Sequence, residues 1–234
     1  MIRAIIETSL IDWDGMISTV LFFDACNFRC PFCHNWDLII NPEKFPVLSW
    51  ETIKEKLYQK KGWVDGVVLT GGEPLMHRDE VMDLCSKIKN LGIQVKIDTN
   101  GAYPGVLEEL INQNMVDFIA MDVKAPLDER YNHATGVKAD VQTIQTSRTM
   151  IMTRNLEYEF RTTCVPGIID EQAIHDIGNA IKGAQKWALQ AHLPDNAFKE
   201  ECRTPLGTEY PGLLQKYLSI AQQYVPNTIL RGKM

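Results

Sequence analysis

The sequence predicts an α/β protein built on a largely parallel sheet. Short apolar runs alternate with amphipathic segments along most of the 234 residues, which is the pattern of consecutive βα units. Six of the apolar runs have the length of a strand, and several end in a polar or glycine-rich motif. These strand candidates are residues 19–24, 66–70, 93–98, 118–123, 158–165 and 187–191. Ile2 to Leu10 and Thr228 to Arg231 are candidates for additional edge strands.

The segments between these runs predict the helices. In residues 79–91 apolar side chains recur at helical spacing, and Gly92 follows as a stop signal. Cys85 lies on this apolar face, so we expect it to be a core residue. Residues 194–209 are polar and contain Pro205 and Gly207, which is typical of a loop. Further helices are predicted over residues 50–60, 104–112, 141–153, 171–182 and 211–224.

Composition limits the function. The chain is 45% hydrophobic and 23% charged, and we expect one domain over residues 1–234 that ends in a helix and tail over 209–234. No apolar run reaches the roughly 18 residues that span a bilayer. Glu7 and Asp12 interrupt any signal-peptide core, so a cytoplasmic protein is expected. A net charge of −6 without a run of basic residues makes nucleic acid a poor candidate partner.

The most informative motif is a cysteine-rich loop over residues 24–35. Cys26, Cys30 and Cys33 lie within eight residues, so one loop could wrap soft thiolate ligands around iron or zinc. A four-iron cluster usually takes four cysteines, and three would leave one iron open to another ligand. Zinc with a Cys3His set that includes His34 is an alternative, although adjacent Cys33 and His34 can hardly both reach one tetrahedral ion. Burial of the thiols as small hydrophobes is a second alternative.

The spacing Cys-x3-Cys-x2-Cys, with Phe32 just before the last cysteine, resembles the cluster loop of the radical S-adenosylmethionine enzymes. The motifs that follow the next three strand candidates support this resemblance. They are Thr70-Gly71-Gly72-Glu73-Pro74, Asp98-Thr99-Asn100-Gly101 and Asp122-Val123-Lys124-Ala125-Pro126. Within that superfamily the chain resembles the activating enzymes of glycyl-radical enzymes, most of all those of anaerobic ribonucleoside-triphosphate reductase. The Cys33-His34-Asn35 run is common among glycyl-radical activating enzymes and favours that group. The resemblance covers nearly the whole chain.

The resemblance implies the fold, the cofactors and the partners. It implies an open partial (β/α)6 barrel, a 4Fe-4S cluster held by Cys26, Cys30 and Cys33, and S-adenosylmethionine bound at the open iron. Reductive cleavage of that cofactor would give a 5′-deoxyadenosyl radical, which takes a hydrogen atom from a glycine of a partner enzyme. Reduced flavodoxin or ferredoxin would be the electron donor.

The resemblance also implies roles for individual residues. Gly71, Gly72 and Glu73 would receive the methionine ammonium, and Phe32 would stack on the adenine. Lys124 and Arg161 would hold the cofactor, with Lys124 and His192 nearest to the chemistry, although the match around His192 is loose. A monovalent cation is implied beside the cofactor, with ligands Asp98, Thr99 and Asp122; helix capping is the alternative role for these three residues.

Two other functions remain open at this stage. One is a radical reaction on a small molecule, as in the enzymes that form 7-deazaguanine, which have similar length. The other is a metal-binding module without catalysis, and its metal content would distinguish it.

Overall fold

The structure is a computed structural model that describes residues 1–232, so the last two residues of the predicted tail lie outside the described part. All six predicted strands and both predicted edge strands form, with ends within two residues of those predicted. They are β1 (Ile2–Ser9), β2 (Ser18–Phe23), β3 (Gly66–Gly71), β4 (Gln94–Thr99), β5 (Phe118–Asp122), β6 (Glu157–Cys164), β7 (Trp187–Ala191) and β8 (Thr228–Arg231).

The eight strands form one sheet in chain order from β1 to β8. β1 pairs antiparallel with β2, whereas β2, β3 and β4 are parallel to one another, as are β6, β7 and β8. The sheet is mostly parallel and does not close. The predicted open α/β architecture is therefore confirmed.

The predicted helices are also present, and two short ones are added. The helices are α1 (Trp36–Ile40), α2 (Trp50–Gln59), α3 (Arg78–Lys89), α4 (Pro104–Asn112), α5 (Arg130–Thr135), α6 (Val141–Thr153), α7 (Glu171–Ala180) and α8 (Tyr210–Ala221). α1 and α5 were not predicted, because five or six residues are too few to establish a helical period. Cys85 is fully buried in α3, as expected.

The chain divides into two compact units. The first, unit 1, comprises Met1–Asn27, Asp37–Thr99 and Tyr103–Ile119. The second, unit 2, comprises Phe28–Trp36, Asn100–Ala102 and the chain from Ala120 onward. The single-domain prediction for residues 1–234 stays a prediction.

Each unit has its own buried core. In unit 1, Val20 and Val68 are fully buried and Trp13 packs against them. In unit 2, the buried indole of Trp187 donates a hydrogen bond to Thr162 Oγ1 at 3.0 Å. The Arg231 guanidinium makes two 2.7 Å hydrogen bonds to the buried carboxylate of Glu159. This charge-assisted pair joins β8 to β6.

No helix in residues 1–232 combines the length and the apolar character needed to cross a membrane.

Candidate functional site

Cys26 follows a sharp turn at the end of β2. Ala25 has φ = 59°, a left-handed conformation that costs a non-glycine residue about 1–2 kcal/mol. The preceding residue, Asp24, is fixed by Arg3, whose Nε donates to Asp24 Oδ2 at 2.7 Å. The Nε2 atom of His77 lies 2.9 Å from the Asp24 carbonyl oxygen. These contacts fix the backbone that leads into the first cysteine.

The two glycines at the end of β3 allow backbone to approach backbone. A Cβ atom at Gly71 would lie 2.5 Å from main-chain atoms of Phe23, and one at Gly72 would lie 1.7 Å from the Ala25 carbonyl oxygen. Gly71 also has φ = +112°, which favours glycine. Glu73, which follows Gly72, donates its N–H to the same Ala25 carbonyl oxygen at 2.8 Å. Any side chain at position 72 would therefore displace the segment that carries Cys26.

Glu73 is almost completely buried, and its carboxylate accepts hydrogen bonds from two other residues of unit 1. Oε1 accepts a hydrogen bond from Thr99 Oγ1 at 2.8 Å and another from the Leu75 N–H at 3.1 Å. The second bond caps a short 3-10 helix over Pro74–Met76. Two of the predicted site residues, Glu73 and Thr99, are thus brought together at the ends of β3 and β4.

Asp98, at the end of β4, has a cationic neighbour that was not predicted as a site residue. Lys96 is buried at 1% exposure, and its Nζ lies 3.3 Å from Asp98 Oδ1. Positions 96 and 98 are two apart on a strand, so their side chains lie on the same face. A lysine two residues before an aspartate in the same strand was the signal in the sequence that could have identified this ion pair.

Cys30 and Cys33 belong to unit 2 and flank a tight turn in which the Cys33 N–H donates to the Cys30 carbonyl at 3.1 Å. Phe32, between them, is buried. The Arg29 N–H donates to the Thr135 carbonyl at 2.8 Å, which fixes the loop to α5. Burial raises the pKa of the Cys30 thiol to about 11, while the charge of Lys124 acts in the opposite direction.

Asp122, Lys124 and Arg161 form an ion-pair cluster in unit 2. Arg161 Nε donates to Asp122 Oδ1 at 2.8 Å, and Lys124 Nζ donates to Asp122 Oδ2 at 3.0 Å. Burial alone would raise the pKa of the Asp122 carboxyl, but the two positive charges outweigh it and lower this pKa to about 2. The same cluster raises the pKa of the Lys124 ammonium, despite its burial. All three groups are therefore charged at neutral pH.

This cluster leads to a prediction for acid stability. The carboxyl pKa of Asp122 falls from about 3.8 to about 2 on folding, so its contribution is complete above pH 4 and is lost as the pH falls toward 2. Asp122→Asn should lower the free energy of unfolding at pH 7 by about 2 kcal/mol. The difference between wild type and variant should shrink steadily between pH 4 and pH 3 in urea titrations. The control Asp79→Asn removes a surface carboxylate that is 92% exposed and should show no such trend; equal behaviour of the two variants would contradict the prediction.

His192 is buried at 2% exposure. Its Nε2 lies 2.8 Å from the Cys202 carbonyl oxygen, so Nε2 carries the proton, and its ring stacks on His34 at 6.5 Å between centroids. Within the described residues its Nδ1 atom has no hydrogen-bond partner. Burial lowers the pKa of His192, so the ring is neutral at pH 7.

Residues 193–203, which we term the strap, lie on the cysteine loop of unit 2. The predicted loop contains two short 3-10 helices, Pro194–Asn196 and Glu200–Arg203. The Lys199 N–H donates to the Pro31 carbonyl at 2.8 Å, and His34 Nε2 lies 2.6 Å from the Leu193 carbonyl oxygen. Phe198 packs against Trp36 with ring centroids 5.8 Å apart. The sequence carried no signal for this docking, since its contacts join main-chain and side-chain groups that lie 159 to 168 positions apart along the chain.

The chemistry of the donor set fits an iron-sulfur cluster. Cys26, Cys30 and Cys33 form no disulfide, and three thiols leave one iron of a 4Fe-4S cluster without a protein ligand. Across residues 1–232, no three His, Cys, Asp or Glu side chains stand close enough together to ligate one metal ion. The assignment of the three ligands therefore depends on the motif and the family.

Comparison with known proteins identifies the family. Residues 20–177 match the model of the radical SAM superfamily. A Methanocaldococcus jannaschii protein, provisionally named a glycyl-radical enzyme activating enzyme, is 32% identical over 99% of this chain and 95% of its own. The pyruvate formate-lyase 1-activating enzyme of Escherichia coli K12 is 26% identical over 86% of this chain and 82% of its own.

A solved structure has the same fold. It is a domain of the pyruvate-formate lyase-activating enzyme from Bacteroides vulgatus, with a TM-score of 0.57 and 19% identity. The alignment covers 71% of this chain and 99% of that domain.

Proposed function

This chain belongs to the radical S-adenosylmethionine superfamily, among its glycyl-radical activating enzymes, and we propose that it generates a glycyl radical on anaerobic ribonucleotide reductase. The observation that carries the activase assignment is similarity over 99% of the chain to a relative named for that activity. The Cys33-His34-Asn35 run, common among glycyl-radical activating enzymes, supports the same assignment, and the choice of reductase rests on the resemblance to the activating proteins of that enzyme over nearly the whole chain. We further propose a cytoplasmic enzyme whose electron donor is reduced flavodoxin or ferredoxin.

In this superfamily the 4Fe-4S cluster supplies an electron that cleaves S-adenosylmethionine to methionine and a 5′-deoxyadenosyl radical. In this chain Cys26, Cys30 and Cys33 would hold the cluster. The buried loop between Cys30 and Cys33 would keep water from it, and Phe32 would stack on the adenine.

The remaining residues would bind and orient the cofactor. The backbone of Gly71 and Gly72 would approach its ammonium group without a steric clash, and buried Glu73 would oppose the positive charge. Since Asp122 hydrogen-bonds to both Arg161 and Lys124, it would orient these two cations toward the cofactor carboxylate or ribose. His192 would use its unprotonated Nδ1 as a hydrogen-bond acceptor close to the site of radical formation.

We expect Arg161→Ala and Lys124→Ala to weaken binding of S-adenosylmethionine by about ten- to a hundredfold each. A hydrogen bond to a charged group is lost in either variant, while the thiols that hold the cluster remain. Arg161→Lys should restore little of the lost affinity, because an ammonium cannot form the bidentate hydrogen bonds of a guanidinium. The measurement is a binding titration on anaerobically reconstituted protein, with iron content determined in parallel.

The matched control for these variants is Arg130→Ala. Arg130 also pairs with two aspartates, Asp128 and Asp176, but on the exposed surface of unit 2. Its variant should bind the cofactor like wild type. Wild-type affinity in both Arg161→Ala and Lys124→Ala would remove those residues from the cofactor site.

The proposed function is tested by transfer of a labelled hydrogen atom. Anaerobic ribonucleotide reductase containing deuterated glycine is incubated with the reduced enzyme and S-adenosylmethionine. We expect deuterium in 5′-deoxyadenosine by mass spectrometry. By electron spin resonance we expect a glycyl-radical doublet with unlabelled reductase and its collapse to a single line with the deuterated reductase, because the doublet arises from the α-hydrogen that remains on the glycine. Cleavage without deuterium transfer would contradict the proposal, and a doublet on pyruvate formate-lyase alone would correct the partner.

A second arm tests the electron donor. Chemically reduced flavodoxin and ferredoxin are compared with dithionite as sources of the electron, and 5′-deoxyadenosine is measured over time. Turnover with dithionite but with neither protein would contradict the proposed donors.

A further inference from the structure

The residues predicted to ligate a monovalent cation do not fit that role in this chain. Asp98 faces the Lys96 ammonium at 3.3 Å. Asp122 accepts hydrogen bonds from Arg161 and Lys124. Thr99 donates its hydroxyl proton to Glu73. Both carboxylates already have positively charged protein partners.

Lys96 is the unexpected member of this set. The side chains of Lys96 and Asp98 are only 2% and 8% exposed. The Lys96 ammonium also donates to the Asp12 carbonyl and lies 5.5 Å from the centre of the Phe118 ring. A carbonyl, a carboxylate and an aromatic face together give a buried ammonium the surroundings that it needs.

An additional cation at Asp98 would be unfavourable. It would lie beside a like charge in a buried region, where desolvation is costly and repulsion is only weakly screened. The lysine carries the same single charge as K⁺, and it is held in place covalently.

We propose that the Lys96 ammonium replaces the monovalent cation, so that this enzyme binds and cleaves S-adenosylmethionine without K⁺ or Na⁺. Lys96 is a positioning residue in this scheme, because it acts through Asp98. The proposal depends on the use of S-adenosylmethionine, which the family establishes, and not on the identity of the protein partner. Failure to activate a reductase would therefore not contradict the proposal about Lys96.

The first test needs only the wild-type protein. Affinity for S-adenosylmethionine is measured by titration of the reconstituted holoenzyme in choline chloride, NaCl and KCl at equal ionic strength. We expect the three dissociation constants to agree within about twofold, well below the tenfold that 1.4 kcal/mol represents. A gain of tenfold or more on adding K⁺ or Na⁺ would overturn the proposal.

The second test uses Lys96→Ala, which removes the ammonium and opens space beside Asp98. In choline chloride the variant should bind about tenfold more weakly than wild type, and K⁺ or NH₄⁺ should restore most of this loss. Unaltered affinity in choline chloride, or a loss that neither ion relieves, would overturn the proposal.

Lys89→Ala is the matched control. Lys89 pairs with Asp117 through hydrogen bonds of 2.6 and 2.8 Å in the same unit, but it is one-third exposed. Its affinity should not respond to the choice of salt. Thermal melting shows whether each variant folds, and if Lys96→Ala does not, the wild-type comparison still decides.

Discussion

Cys26→Ala, Cys30→Ala and Cys33→Ala should each abolish formation of 5′-deoxyadenosine and reduce the iron content of the reconstituted protein to background. Each variant leaves two thiols for a cluster that needs three. The other cysteines are distant in sequence, and Cys85 and Cys164 are buried within their units. Neither of these two can replace a lost ligand, and Cys202, in the strap, lies outside the Cys-x3-Cys-x2-Cys motif. Iron and sulfide analysis, the visible spectrum and product chromatography provide the readouts.

Cys85→Ala is the control for these three variants. Its thiol is fully buried in α3, and burial raises its pKa to about 12, so it is a neutral core side chain. The variant should retain both iron and turnover. Full iron content together with cleavage in any of the three loop variants would show that the loop is not the cluster site.

Gly72→Ala should lower turnover by at least about a hundredfold, the effect expected when reacting groups are misplaced by about 1 Å. The added methyl carbon would lie 1.7 Å from the Ala25 carbonyl oxygen and 2.6 Å from its carbon. Both are main-chain atoms that no rotamer change can move. The segment before Cys26 must shift, and the hydrogen bond from the Glu73 N–H to Ala25 is expected to break.

The matched control is Gly105→Ala in α4. No heavy atom lies within 4 Å of the position that its Cβ would take, and alanine favours a helix over glycine by about 1 kcal/mol. This variant should melt at or above the wild-type temperature with unaltered turnover. If Gly72→Ala also retained wild-type turnover and iron content, the close contact at Ala25 would have no role in the site.

Local signals in the sequence predicted much of the fold. Strands such as β3 and β7 were predicted closely because an apolar run, a polar end and a glycine or proline all agree. The cysteine spacing and the Gly71-Gly72-Glu73 turn were visible for the same reason, since each lies within a few consecutive residues.

Contacts between distant residues could not be predicted in this way. Lys124 is two residues from Asp122, but Arg161 is 39 residues away, and only the fold brings it to the same carboxylate. The docking of the strap joins residues more than 150 positions apart. The spacing of apolar residues, which predicts strands and helices, carries no information about such contacts.

The strap has a consequence for how relatives of this protein can diverge. It is anchored to the cysteine loop through the Lys199 N–H and the Leu193 carbonyl, groups that every residue other than proline possesses. These two contacts therefore survive substitution of strap side chains, whereas Asn196, whose Nδ2 donates to the His34 carbonyl at 2.9 Å, and Phe198, which packs on Trp36, are constrained. The exposed Glu200 and Glu201 lie on this tolerant backbone. Relatives that act on different partner enzymes can therefore differ in these exposed side chains, while the cysteine loop beneath them keeps its sequence.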